Sequence, residues 1–232
     1  MTGDTEPLSD VFKDPEHAAQ YADTPAKFMP GFADLHRMVG VLIRETAPPD
    51  AHVLVHGAGV GLELDAFARE NRRWTFVGVD PAKPMLDEAK NRLGDLNERI
   101  TLHHGYADDA PAGPFDAATS LLTLHFLNAG ERRTAIAEIV QRLKPGSPFV
   151  VAHCSFPQDL DNRVAWLERH RAFTVSSGVD AELAEKGRKN VSEDLEVFDP
   201  QIDEEILREA GLSKVTMFYA AFTWRGWVGW VP

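Results

Sequence analysis

Cys154 is the sole cysteine among 232 residues, which excludes an intrachain disulfide and any cysteine-rich metal site. The nine histidines never adopt H-E-x-x-H spacing, so nothing sets two imidazoles and a carboxylate around a zinc ion, and no metal is expected. Long apolar runs are also missing. No stretch approaches the roughly 20 residues of a membrane span. The opening Met1-Thr2-Gly3-Asp4-Thr5-Glu6-Pro7 lacks the basic region and apolar core of a secretion signal, so a soluble, cytoplasmic protein without membrane contact is expected. Positive charge is scarce: 24 Lys and Arg face 36 Asp and Glu, for a formal charge of −12. Such a surface repels nucleic acid unless its charges are segregated, which favours small-molecule partners. The one notable basic run, Lys186-Gly187-Arg188-Lys189, reads as a solvated loop or helix end.

What is present is enough apolar sequence, 44% of residues, to bury one large core, so residues 1–232 are expected to form a single domain. Its most informative segment is Gly57-Ala58-Gly59-Val60-Gly61, which follows the apolar run Val53-Leu54-Val55 and leads into the helix-compatible stretch Leu62 to Ala68. Glycines let the backbone approach a ligand, and a helix starting there directs unpaired N–H groups at it. Nineteen residues after Gly61, a second strand, Trp74 to Val79, ends in Asp80. An acid at that point accepts both hydroxyls of a ribose. A dinucleotide fingerprint requires a third glycine at position 62, where this chain has Leu62, so the spacing argues against NAD.

Along the chain, residues 1 to about 27 read as polar and irregular. Leu35, Met38, Val39 and Leu42 then mark an amphipathic helix that ends before Pro48-Pro49, and the helical N-terminal segment is placed at 10–46. Strands are expected at 51–56, 74–79, 99–104, 115–122 and 148–154, with helices at 61–70, 83–93 and 130–143. The last of these carries the apolar stripe Ile136, Ile139, Val140, Leu143 and stops at Lys144-Pro145-Gly146. Residues 155–200 are charged and helical, too long for a plain connection, and are expected to form a lid over the strand ends. A helix at Asp203 to Ala210 and a hairpin of Val215 to Ala221 with Phe222 to Val231 complete the chain. The predicted fold is α/β: a Rossmann-like, seven-stranded, mostly parallel sheet with helices on both faces and a C-terminal antiparallel hairpin.

Five blocks in order, Val53 to Gly61, Val77 to Asp80 with Pro81, Met85 and Leu86, Gly105 to Pro111, Phe115 to Leu127, and Arg142 to Gly146, resemble the class I S-adenosylmethionine-dependent methyltransferases. Within that family the chain is most similar to the carboxy-S-adenosylmethionine synthases linked to transfer-RNA wobble-uridine modification. That likeness lies in Pro30-Gly31-Phe32, Leu122 to Leu127 and Leu207 to Leu212. It implies S-adenosyl-L-methionine as cofactor, with Gly57, Ala58 and Gly59 along its methionine and Gly61 starting the helix. Asp80 would take the ribose, Pro81 and Met85 would pack beside the adenine, and Tyr106 and Ala107 would bracket its edge. Leu121, Leu122 and Thr123 would lie nearest the sulfonium. The chain departs from the family at Val55, where an acid is common, and at Tyr106, Leu121 and Phe32, where other polar groups are frequent.

Methyl transfer from a sulfonium needs alignment and a dry pocket, and sometimes a base. His125, with His153 beside it, is the candidate base. Phe12, Tyr21, Phe28, Phe32 and Trp166 are candidates to line the acceptor pocket, and Phe32 and Arg188 are expected to meet substrate. Three functions stay open. A methyltransferase acting on a small-molecule acceptor leads. A carboxy-S-adenosylmethionine synthase-like enzyme comes second, with Arg188 gripping the donor's extra carboxylate, and a non-catalytic S-adenosylmethionine-binding protein comes third. A homodimer is open to each.

Overall fold

Residues 8–232 are described by a computed structural model. The polar opening segment, 1–7, on which the expectation of no secretion signal rests, lies outside them. Five strands run parallel: β1 (His52–His56), β2 (Thr75–Asp80), β3 (Ile100–His104), β4 (Ala117–Leu121) and β5 (Pro148–Cys154). The chain returns through β6 (Ser213–Ala221) and β7 (Trp224–Trp230), and β7 pairs antiparallel with both β5 and β6. The sheet order is β3-β2-β1-β4-β5-β7-β6. Strand order reverses between β1 and β4, and in such sheets the ligand crevice opens there, outside the carboxyl ends of the strands.

Period-2 alternation divides the buried side chains between two faces. Val53 and Val55 of β1 join one core, shared with α4 (Phe32–Arg44), α5 (Leu62–Glu70) and α6 (Lys83–Leu93). Leu54 joins the other, shared with α7 (Ala129–Val140) and α10 (Pro200–Glu209). Helix α7 begins at a capping box in which Asn128 and Glu131 satisfy each other's backbone N–H groups, so it starts one residue before the sequence reading and ends earlier. Leu143 lies beyond its end and bridges to Phe115 instead.

Two sequence expectations need correction. The region before residue 28 is not irregular. It forms α1 (Leu8–Val11), α2 (Pro15–Tyr21) and α3 (Pro25–Phe28), with Asp14 capping α2 through Glu16 N–H and Pro15 at its first turn. These helices are too short for a periodicity window to detect, and packing holds them: Ala18 is buried with Val60, Ala82 and Met85. Trp224 Nε1 donates to Phe28 O at 3.1 Å, and Tyr219 Oη donates to Pro30 O, fastening this segment to the hairpin. The second correction concerns residues 155–200. They fold into α8 (Leu160–Ser176) and α9 (Ala181–Glu193), a pair whose Leu167 and Val191 enter the sheet core. His170 Nδ1 lies 3.0 Å from Thr223 Oγ1 at the start of the hairpin's last strand. Buttressed there, the pair contributes no side chain to the cavity at the strand ends.

Candidate active site

A cavity of about 720 Å3 opens at the carboxyl ends of β1, β2 and β4. Its floor is the glycine turn. Gly57, Gly59 and Gly61 hold φ values of +75°, +50° and +78°, a region that side-chain-bearing residues rarely adopt. At Gly57 space is decisive as well, because a Cβ there would stand 1.9 Å from Thr123 Oγ1. Val79 O accepts from both Gly57 N (2.8 Å) and Ala58 N (3.0 Å), which binds the turn to β2. Leu122 enters the same crevice with φ at +56°. Such a backbone costs on the order of 1–3 kcal/mol and persists only where surroundings impose it, often at functional sites. Here Leu122 N–H is held by Ala152 O at 2.7 Å.

Asp80, at the end of β2, is 8% exposed. Its Oδ2 accepts from Gly59 N and its Oδ1 from Ala82 N, each at 2.8 Å. Burial raises its pKa, opposed by those two amides and by His104. Twelve residues named from the sequence line the cavity together: Gly57, Ala58, Gly59, Asp80, Pro81, Met85, Tyr106, Ala107, Leu121, Leu122, Thr123 and Phe32. Gly61 stands just behind them as the N-cap of α5. Tyr106 is 65% exposed, at the rim.

His125 is not brought into the cavity. It is buried, its Nδ1 accepts from Cys154 N at 3.2 Å, and its ring packs on Phe126 and Trp224. Burial, reinforced by His153 and Arg132, holds it well below the ordinary histidine pKa, so a base at this position is corrected. His153 is equally buried, 3.1 Å from Asp203. Arg188 is also excluded: it faces Glu185 across α9 at 2.6 Å, with Glu168 of α8 at 3.7 Å, away from the cavity. The expectation for Arg188 came from its chain distance to Ala210-Gly211, which suits the arginine that grips the extra carboxylate in the synthases the sequence resembles; here its guanidinium is taken by the two glutamates instead. No residue of 155–200 lines the cavity.

The roof comes instead from the N-terminal segment. Phe12, Lys13, Tyr21 and Pro25 line the cavity, and Phe12 crosses to the far wall, where it meets Phe126 edge-on at 5.5 Å. Burial and the charge of Asp80 push the Tyr21 hydroxyl up to about 12, so it stays protonated. Phe28 stacks on Trp224 and Trp166 lies against Arg169, so neither reaches the cavity.

Two polar pairs were missed by the sequence reading. On one face, Thr119 Oγ1 donates to Glu63 Oε1 at 2.6 Å; on the other, His56 Nδ1 lies 3.0 Å from Ser120 Oγ. Burial pushes Glu63 up to about 8 and His56 down to about 4. A legible signal existed for Glu63, which shares a helix face with buried Phe67 one turn on. The wall is predominantly acidic. Among the described residues it carries Glu63, Asp80, Asp108, Glu131 and Glu138, the last paired with Arg142 at 2.7 Å, against one lining lysine, Lys13, paired with Asp10 at 2.5 Å.

Comparison with known proteins agrees with this geometry. Residues 53–146 match a family described as a methyltransferase domain. The chain is similar to the carboxy-S-adenosyl-L-methionine synthase of Actinobacillus succinogenes, 26% identical over 94% of this chain and 92% of that one. It is likewise similar to that of Chromohalobacter salexigens, 28% identical over 89% of this chain and 78% of that one. Among solved structures, the magnesium protoporphyrin IX methyltransferase of Synechocystis with bound S-adenosylhomocysteine superposes with a TM-score of 0.68, at 13% identity, over 97% of this chain and 98% of that one.

Proposed function

We propose that the chain, which matches a methyltransferase domain over residues 53–146 and is similar along its length to carboxy-S-adenosylmethionine synthases, is a class I S-adenosylmethionine-dependent methyltransferase that methylates a small uncharged or cationic acceptor, using ordinary S-adenosylmethionine. The carrying observation is the sign of the cavity wall, where Asp80, Asp108 and Glu131 outnumber one lysine already paired with Asp10, Glu138 being paired with Arg142 and Glu63 raised to about 8. A sulfonium donor is a cation, and that wall favours it. An added donor carboxylate would want a guanidinium fork or an equivalent cation. Arg188, the sequence candidate, is engaged by Glu185 and Glu168.

Donor binding fits the residues present. The glycine turn leaves room for a ligand backbone-close, and Asp80 can accept ribose hydroxyls beside its two amide bonds. Bound there, the donor supplies a methyl group already activated by the positive sulfur. The chain's part is to orient the acceptor and exclude water, which Phe12, Tyr21 and Phe32 do as an apolar roof and side wall. The lining histidines, His36 and His56, are held down to about 4 by burial. Neither is matched to abstract a proton near neutrality.

The full-length likeness to carboxy-S-adenosylmethionine synthases favours a second reading, in which the product is the carboxylated donor. Mass spectrometry of ligand released from the purified protein separates the two. Ordinary S-adenosylmethionine or S-adenosylhomocysteine is expected, and the mass of the carboxylated donor would establish the second reading instead.

A further inference from the structure

Glu63 is a buried carboxyl that pairs with no cation among the described residues. It occupies the first turn of α5, is 6% exposed and lines the cavity. Thr119 Oγ1 holds its Oε1, and among the described residues no group donates to Oε2. A buried carboxyl without a counter-charge is costly to ionise, and burial accordingly pushes this one up to about 8.

Its position across the sheet selects the cation that would relieve that cost. Asp80 ends β2, β1 lies next, and Thr119 is on β4, where it pairs in register with Val55 of β1. Strands are spaced about 4.8 Å apart, so the Thr119 position stands roughly 10 Å from β2 across the glycine turn. A ligand with its ribose on Asp80 and its chain along Gly57 therefore brings its far end to Glu63. Thr119 shares the sheet face of Leu121 and Ala117, the face that α5 covers, so helix and strand present the carboxyl together.

Resting on the reading that the donor is S-adenosylmethionine seated by Asp80, we propose that Glu63 is the anionic anchor for the ammonium group of the donor's amino-acid arm, with Thr119 as its positioning residue. The residue binds the donor, and the acid fills a role beyond packing α5 on the sheet.

The test titrates wild type, Glu63→Gln and Thr119→Val with three ligands. These are S-adenosylhomocysteine, decarboxylated S-adenosylmethionine, which keeps the ammonium, and methylthioadenosine, which has the nucleoside alone. Glu63→Gln is expected to weaken the first two by about 10- to 100-fold and leave methylthioadenosine within about twofold. Thr119→Val is expected to show the same pattern at smaller amplitude. Equal loss for all three ligands, or none for S-adenosylhomocysteine, overturns the anchor while leaving the donor reading intact. Failure of wild type to bind S-adenosylhomocysteine overturns the donor reading and the anchor with it. Should Glu63→Gln fail to fold, the Thr119→Val pattern decides alone.

Discussion

Gly59 N–H donates to Asp80 Oδ2 at 2.8 Å, which ties the middle of the glycine turn to the acid ending β2. One carboxylate thus shapes the ligand floor and faces the cavity. Asp80→Ala is expected to weaken S-adenosylhomocysteine by roughly 10- to 150-fold, the loss of charge-assisted bonds of about 1.5–3 kcal/mol. Calorimetry giving wild-type affinity would reject the assignment.

Gly57→Ala is expected to abolish donor binding. The new methyl would meet Thr123 Oγ1 at 1.9 Å while φ stays at +75°, so turn and crevice wall must part. Gly57→Ala combined with Thr123→Gly removes that neighbour, whose Cβ alone would stand 2.7 Å away, and is expected to regain part of the affinity, the backbone cost remaining. No recovery in the double variant would mean the clash is not the dominant effect.

Arg188→Ala is expected to leave donor affinity unchanged, because the guanidinium pairs with Glu185 and Glu168 outside the cavity. The pair is partly exposed, and thermal stability is expected to move little. A selective loss of carboxylated donor in this variant would support the synthase reading.

Hydrogen exchange is expected to show ligand protection in residues 12–25, which roof the cavity, rather than in α8 and α9. Protection confined to 155–200 would restore the lid assigned from sequence.

Stability should peak near pH 6.5. His36, His56 and His170 are held down to about 4 against an ordinary 6.5, so their contribution is full above 6.5 and lost as pH falls towards 4. Glu63 runs the other way. Raised to about 8 from 4.5, it contributes fully below 4.5 and loses that contribution as pH rises to about 8. Three histidine protons outweigh one carboxyl proton below 6.5, at about 1.4 kcal/mol per proton per pH unit. Melting curves of the ligand-free protein should therefore fall on both sides, and Glu63→Gln should flatten the alkaline side and steepen the acid side between pH 4.5 and 6.5. An unchanged alkaline slope in that variant would count against the burial of its charge.

The strand positions, the glycine turn and Asp80 were legible because each rests on local rules: apolar periodicity, positive φ and an acid at a strand end. The three helices up to residue 28 were not, since one or two turns bury too little to leave a pattern and are held by Met85, Tyr219 and Trp224, distant in the chain. His125 and Arg188 carry plausible chemistry at plausible positions. Only packing decides that one is sealed beneath Trp224 and the other is turned towards Glu185. Glu63 is the converse: its acidity reads as ordinary in a helix's first turn, and its chemistry arises from Thr119, 56 residues further on. Local conformation is set by neighbours in sequence, whereas the protonation and reach of a side chain depend on what the fold brings against it, and long-range pairing leaves no periodic trace.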